Sequence, residues 1–328
     1  MSDLVLKPAV EQLRLLRAGK VSVSQLAEAH IAQIEYLNPK INAFADFDAD
    51  RVRAQARQME AQPNNRGPLF GLPVTVKSSI AVAGLRCEIG SRLLKGDVPQ
   101  TDAVVVARLR AAGALILGTT NCPEFLMAYE TANLLYGRTS NPWNLDHTSG
   151  GSSGGESAAI AAGMSAAGLG SDSGGSVRVP AHFTGICSLK PTPGRIPGTG
   201  HLPPCVGPFG ILGTIGPLAR TIADVTLFFE ALSGQDPCDP LSLPVTLRHR
   251  TLDELRRLPI GVFEDDGLAP VTPETRTAVQ SAAQVLREAG FQVKEFRPPS
   301  LEALRVLWWK LFVQCGEMFY RPVYSGRE

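Results

Sequence analysis

The residues best placed to do chemistry are two serines and a lysine. Ser152 follows Gly150-Gly151, and Ser176, 24 positions later, follows Gly174-Gly175, both within one run from Ser149 to Pro191. Glycines beside a reacting side chain let the backbone take angles closed to other residues and let a substrate approach the main chain. A serine hydroxyl is a weak nucleophile at neutral pH, so one that attacks a carbonyl needs a base within hydrogen-bond reach. Five histidines are present, His30, His147, His182, His201 and His249, and none lies in a setting that singles it out. A buried lysine is an alternative base, because desolvation disfavours its ammonium form. Lys77 ends the segment Gly71-Leu-Pro-Val-Thr-Val-Lys77. Its β-branched core Val74-Thr75-Val76 reads as a strand, which places the lysine at the end of a buried strand.

The elements that must hold these groups alternate between strand and helix. Ser22-Val-Ser-Gln25 is a capping box for a helix expected to stop before Pro39, and Asp48 to Gln62 reads as a second helix. After the strand ending at Lys77 come a helix from Asp102 to Ala112 and a strand from Ala114 to Leu117. Further on, Thr221 to Leu232 and Pro273 to Ala289 read as helices, Ile260 to Phe263 and Phe291 to Glu295 as strands, and Leu301 to Phe312 as an amphipathic helix. This order argues for an α/β fold with a mixed central sheet covered by helices on both faces. Residues 235–250 are the expected flexible connection. A Gly-Ser linker is the competing reading of Gly150-Gly-Ser-Ser-Gly-Gly155, but the helix-forming Glu156 to Met164 follows directly, where a linker continues polar and aperiodic. A phosphate cradle fails for want of a GxxxxGK[ST] or a strand-borne GxGxxG.

At the level of whole motifs the chain resembles the amidase signature family. The resemblance rests on Gly150 to Gly155, the run Gly170-Ser-Asp-Ser-Gly-Gly-Ser-Val-Arg178, Gly185-Ile-Cys-Ser-Leu-Lys-Pro-Thr192, Pro73 to Lys77, and Gly118-Thr-Thr-Asn-Cys-Pro-Glu-Phe125. It covers Val10 to Gly234, with a weaker tail from Pro259 to Phe296. It implies an amidase built on a Ser-Ser-Lys triad, with Ser176 as nucleophile, Ser152 as the bridging serine after a cis peptide bond, and Lys77 as base. It also implies one amidase-signature domain over residues 1–328 that is short at its C-terminus, since family members continue further. The segment Tyr129 to Trp143 is more similar to the fatty-acid-amide branch than to the glutaminase branch. The runners-up are an amidotransferase glutaminase, which serves tRNA-linked amidation with partner subunits, and a truncated, inactive homologue.

An acyl-transfer site also needs donors for the oxyanion. The main-chain N–H groups of Ser173, Gly174, Gly175 and Ser176 are consecutive and precede a helix, where amides point outward unpaired. Ser153, Asp172 and Arg178 take supporting roles, the two charges being expected to hold the turn's main chain. Ser78 stands after Lys77 where many relatives carry an acid.

Composition narrows the partners. Lys plus Arg number 32 against 31 Asp plus Glu, so the chain has no basic footprint for nucleic acid or a membrane surface. A small-molecule amide is the expected substrate, with no cofactor and no metal, and a homodimer is left open. Six cysteines without CxxC spacing favour free thiols in a reducing compartment, and neither a signal sequence nor a membrane anchor is read at the N-terminus. The expected location is the cytoplasm.

Overall fold

A computed structural model describes residues 3–61 and 67–327. Six strands build one mixed sheet: β1 (Phe44–Phe47), β2 (Pro73–Lys77), β3 (Leu115–Thr120), β4 (Ala167–Asp172), β5 (Cys187–Ser188) and β6 (Thr214–Ala219). Their spatial order is β1-β3-β2-β4-β6-β5. The central three, β3, β2 and β4, run parallel, while β1, β6 and β5 join antiparallel. Parallel strands need crossovers, and helices supply them.

Helices cover both faces, and side-chain alternation divides the core accordingly. Val74, Val76 and Ile116 belong to one apolar cluster with Leu13 of α1 (Ala9–Arg17), Val105 and Leu109 of α4 (Val104–Ala111), and Phe228 of α7 (Ile222–Leu232). Leu115 and Leu117 point the other way, into a cluster with Ile31 and Ile34 of α2 (Val23–Ile41), Val52 of α3 (Ala49–Ala61), and Ala158 and Ala159 of α5 (Gly154–Ala161). Two apolar faces on one sheet are what a doubly covered sheet requires. The expected α/β fold is therefore the observed one.

Boundaries moved where tertiary contacts overrode local signals. α2 opens on the expected capping box but runs through Pro39 to Ile41. The last turn survives the missing proline donor because Ile41 is buried and the left-handed Asn42 bonds Asn38 O. α3 ends at Ala61, and Gln62 lies outside the described residues. β3 continues three residues past Leu117, because Gly118, Thr119 and Thr120 still pair with β2 and β1. The expected flexible stretch is anchored up to Ser242: Thr199 donates to Asp236, Gly198 N to Asp239, and Asp236 N to Ser242 Oγ.

The chain divides into two compact units, Met1–Val245 with Cys315–Glu328, and Thr246–Gln314. The second contains a parallel pair, β7 (Pro259–Val262) and β8 (Gln292–Glu295), joined through α9 (Pro273–Glu288). Its α10 (Leu301–Trp309) keeps Leu304, Leu307 and Trp309 more than half exposed and passes into a π turn over Lys310–Gln314. Among the described residues no helix is long and apolar enough to cross a membrane.

Candidate active site

The C-terminal ends of the three parallel strands converge. Lys77 is the last residue of β2, its register partner Thr120 the last of β3, and Asp172 the last of β4. Crevices beyond the carboxyl ends of parallel strands are where open α/β sheets hold ligands. Alternation along β2 sends Val74 and Val76 into one core cluster and Thr75 toward α5, where its hydroxyl bonds Glu156. Lys77, two residues on, shares Thr75's face.

Lys77 is fully buried, and its Nζ lies 2.7 Å from Ser152 Oγ and 3.2 Å from Ser171 Oγ. Among the described residues it forms no ion pair. Burial pushes its pKa down to about 8. An amine with that value is substantially unprotonated at mildly alkaline pH and accepts a proton there. Ser152 sits on a tight loop before α5, with a cis bond between Gly151 and Ser152. Thr131 Oγ1 staples this loop, donating to Gly150 O (2.9 Å) and accepting from Gly154 N (3.1 Å). A Cβ at Gly151 would stand 2.5 Å from Ala128 O, so no side chain fits there.

Ser176 enters through the main chain: Ser153 N donates to Ser176 O at 3.1 Å, which lays the two serine loops side by side. Ser153 Oγ also bridges to β4, touching both Ser171 N and Ser171 O at 3.4 Å. Ser176 is 9% exposed, and among the described residues no hydrogen bond joins its hydroxyl to Ser152. Asp172 holds the turn that carries it. Its carboxylate accepts from Gly175 N (2.8 Å), Val177 N (3.1 Å) and Arg178 N (3.4 Å), and from Arg178 Nε (3.0 Å) and a terminal guanidinium nitrogen (2.9 Å). Burial raises the Asp172 pKa, but the Arg178 guanidinium and these amides outweigh it and hold the carboxyl below its ordinary range. Gly175 takes φ +128°, a backbone angle that other residues rarely adopt.

The turn corrects one part of the expected oxyanion donor set. Gly175 N–H is committed to Asp172, because the carboxylate sits under the turn and collects the amide that faces it. Among the described residues the amides of Gly174 and Ser176 meet no protein acceptor. Tyr129 Oη caps the turn from outside, donating to Gly174 O at 2.7 Å.

Several site residues escaped the sequence reading. Ser171 and Tyr129 lie inside segments already singled out, so proximity in sequence was the available signal. Glu156 reads as an ordinary first-turn acid, yet it is fully buried, and burial pushes its pKa up to about 8. His201 is buried with Nε2 3.3 Å from Ser79 Oγ and Nδ1 2.7 Å from Pro203 O, and burial pushes its pKa down to about 4. His147 and His182 are exposed.

Known proteins share this arrangement of elements. The amidase family model matches residues 25–318. The glutamyl-tRNA(Gln) amidotransferase A chain of Roseiflexus castenholzii (strain DSM 13941 / HLO8) is 40% identical over 304 residues, covering 91% of this chain and 61% of that protein. Among solved structures, a fatty acid amide hydrolase superposes with a TM-score of 0.88 at 29% identity, over 99% of this chain and 58% of that one. A bacterial aryl acylamidase of the amidase signature enzymes gives a TM-score of 0.87 at 29% identity, over 99% and 70%. The chain thus spans about three-fifths of the length of the curated relative it matches.

Proposed function

The chain belongs to the amidase family, and from that premise we propose that it hydrolyses the C–N bond of a small or acyl carboxamide through an acyl-enzyme on Ser176. Neutral Lys77 takes the Ser152 proton across the 2.7 Å contact. Ser152 takes that of Ser176 as a bound substrate draws the two loops together, since catalytic hydrogen bonds tighten in the substrate complex. Ser176 Oγ attacks the carbonyl carbon, and the oxyanion is met by the main-chain amides of the Ser173–Ser176 turn other than that of Gly175. Each such fixed donor is worth about 2.7 to 4 kcal/mol in the transition state. Ser152 then returns the proton to the leaving amine as the C–N bond breaks, and water, deprotonated along the same path, releases the acid. The observation that carries this reading is the fully buried amine of Lys77 in contact with Ser152. Six cysteines without a disulfide accord with a cytoplasmic setting.

The test is covalent labelling with a fluorophosphonate probe, which needs an activated serine and no knowledge of the substrate. The native chain labels at Ser176, while Ser176→Ala and Lys77→Met do not; a folded native chain that stays unlabelled supports an inactive homologue instead. A second reading, a glutaminase that works within an amidotransferase alongside partner subunits, is favoured by the 40% identity to the Roseiflexus protein. The fatty acid amide hydrolase superposition favours a larger acyl group. Release of ammonia from glutamine, against hydrolysis of aliphatic, aryl and long-chain amides, separates the two.

A further inference from the structure

We propose that Glu156 is held as a neutral carboxylic acid and acts as a positioning residue, adding no negative charge that would hold the proton on the Lys77 amine. The inference rests on Lys77 being the base. The first ground is a proton count. Glu156 meets Thr75 Oγ1 through Oε1 and Thr120 Oγ1 through Oε2 (2.8 Å), Thr75 Oγ1 meets Ser165 Oγ (3.0 Å), and Ser165 Oγ meets Ala167 O (2.8 Å). These four contacts have only three hydroxyl protons among them. An ionised Glu156 leaves one contact empty. A protonated one fills all four: Glu156 donates to Thr75, Thr75 to Ser165, Ser165 to Ala167 O, and Thr120 to the second carboxyl oxygen.

The second ground is enclosure. Glu156 is fully buried, with no cation bonded to it among the described residues. Its carboxyl lies so close against β4 that a Cβ at Gly168 would overlap it. A buried carboxylate met only by hydroxyls is the less stable form of that group. The third ground is placement. Thr75 lies two residues before Lys77 on β2, Thr120 is Lys77's register partner on β3, and Glu156 lies four residues after Ser152. The other titratable groups around Lys77 are already settled. Asp172 is paired with Arg178, His201 is neutral with a pKa near 4, and burial keeps the Cys122 and Cys205 thiols protonated. Glu156 is the fully buried carboxyl near the lysine that has no cation of its own, so its protonation bears directly on the lysine's basicity.

Two measurements on the whole chain test this. Infrared spectroscopy at pH 7, where surface carboxylates are ionised, shows the carbonyl stretch of a protonated carboxyl in the native chain, and Glu156→Gln removes it. The pH at which fluorophosphonate labelling reaches half its maximum is the same in Glu156→Gln as in the native chain, because one neutral group replaces another. Glu156→Leu, which removes the donor to Thr75 and the acceptor for Thr120, slows labelling several-fold. Absence of the infrared band overturns the proposal. So does a midpoint that falls by a full pH unit in Glu156→Gln, a ten-fold change in lysine basicity, since it means an ionised Glu156 had been holding the ammonium. Should the native chain not label at all, the base reading of Lys77 fails, while the infrared band still decides the charge on Glu156.

Discussion

Replacing Lys77 by methionine is predicted to remove labelling of Ser176 and, at the same time, to stabilise the protein at neutral pH. The amine is fully buried and its pKa falls from 10.5 to about 8 because burial penalises the charged form. At about 1.36 kcal/mol per pH unit this drop corresponds to a burden of about 3 kcal/mol on the folded state. The sign follows from proton binding. Between pH 8 and 10.5 the unfolded lysine holds its proton and the folded one has lost it, so stability rises with pH across that window and the burden is fully present below it. Methionine matches the side chain's length and carries no charge, but it leaves the Ser152 and Ser171 hydroxyls short of one partner, a loss of about 1 kcal/mol each. The net expectation at pH 7 is that Lys77→Met is about 1 kcal/mol more stable than the native chain and loses that advantage by pH 10. Urea unfolding of both proteins from pH 6 to 10, read as a difference so that all other titrations cancel, measures it. A methionine variant that is less stable at pH 7, or a difference that does not change between pH 8 and 10, refutes the account of a desolvated lysine.

The same lysine sets the pH dependence of the chemistry: labelling of Ser176 rises about ten-fold from pH 7 to pH 9, as a group with a pKa of about 8 loses its proton. Asp172→Asn takes the charge from under a turn held by three main-chain amides and Arg178. Because the carboxylate is buried while the guanidinium is half exposed, the expected loss is about 2 kcal/mol in urea unfolding, with at least ten-fold slower labelling. Tyr129→Phe removes only the hydroxyl bonded to Gly174 O and should slow labelling by a few-fold, with stability unchanged within about 1 kcal/mol. Gly151→Ala forces a methyl against Ala128 O and is expected to abolish labelling, with circular dichroism showing whether the fold survives.

Much of the site was legible because its signals are local. The glycine pairs before Ser152 and Ser176 mark places where the main chain turns sharply, and the β-branched run before Lys77 marks a strand whatever surrounds it. The capping box at Ser22 starts its helix where the residues place it. What the residues could not reveal is which polar side chains the sheet encloses. An acid in the first turn of α5 reads as a solvated group favoured by the helix dipole, and so Glu156 reads from its neighbours alone. It becomes a buried acid because that helix packs on the sheet so that its carboxyl meets β2 and β3, contacts between segments 81 and 36 positions apart in the chain. Ser171 likewise meets Lys77 across 94 positions. The capture of the Gly175 amide by Asp172 depends on how the turn folds over the strand end, which no periodicity encodes. Residue type and spacing determined the reacting groups and the elements that bear them; the register of three parallel strands decided their neighbours, and through burial the protonation states on which the chemistry depends.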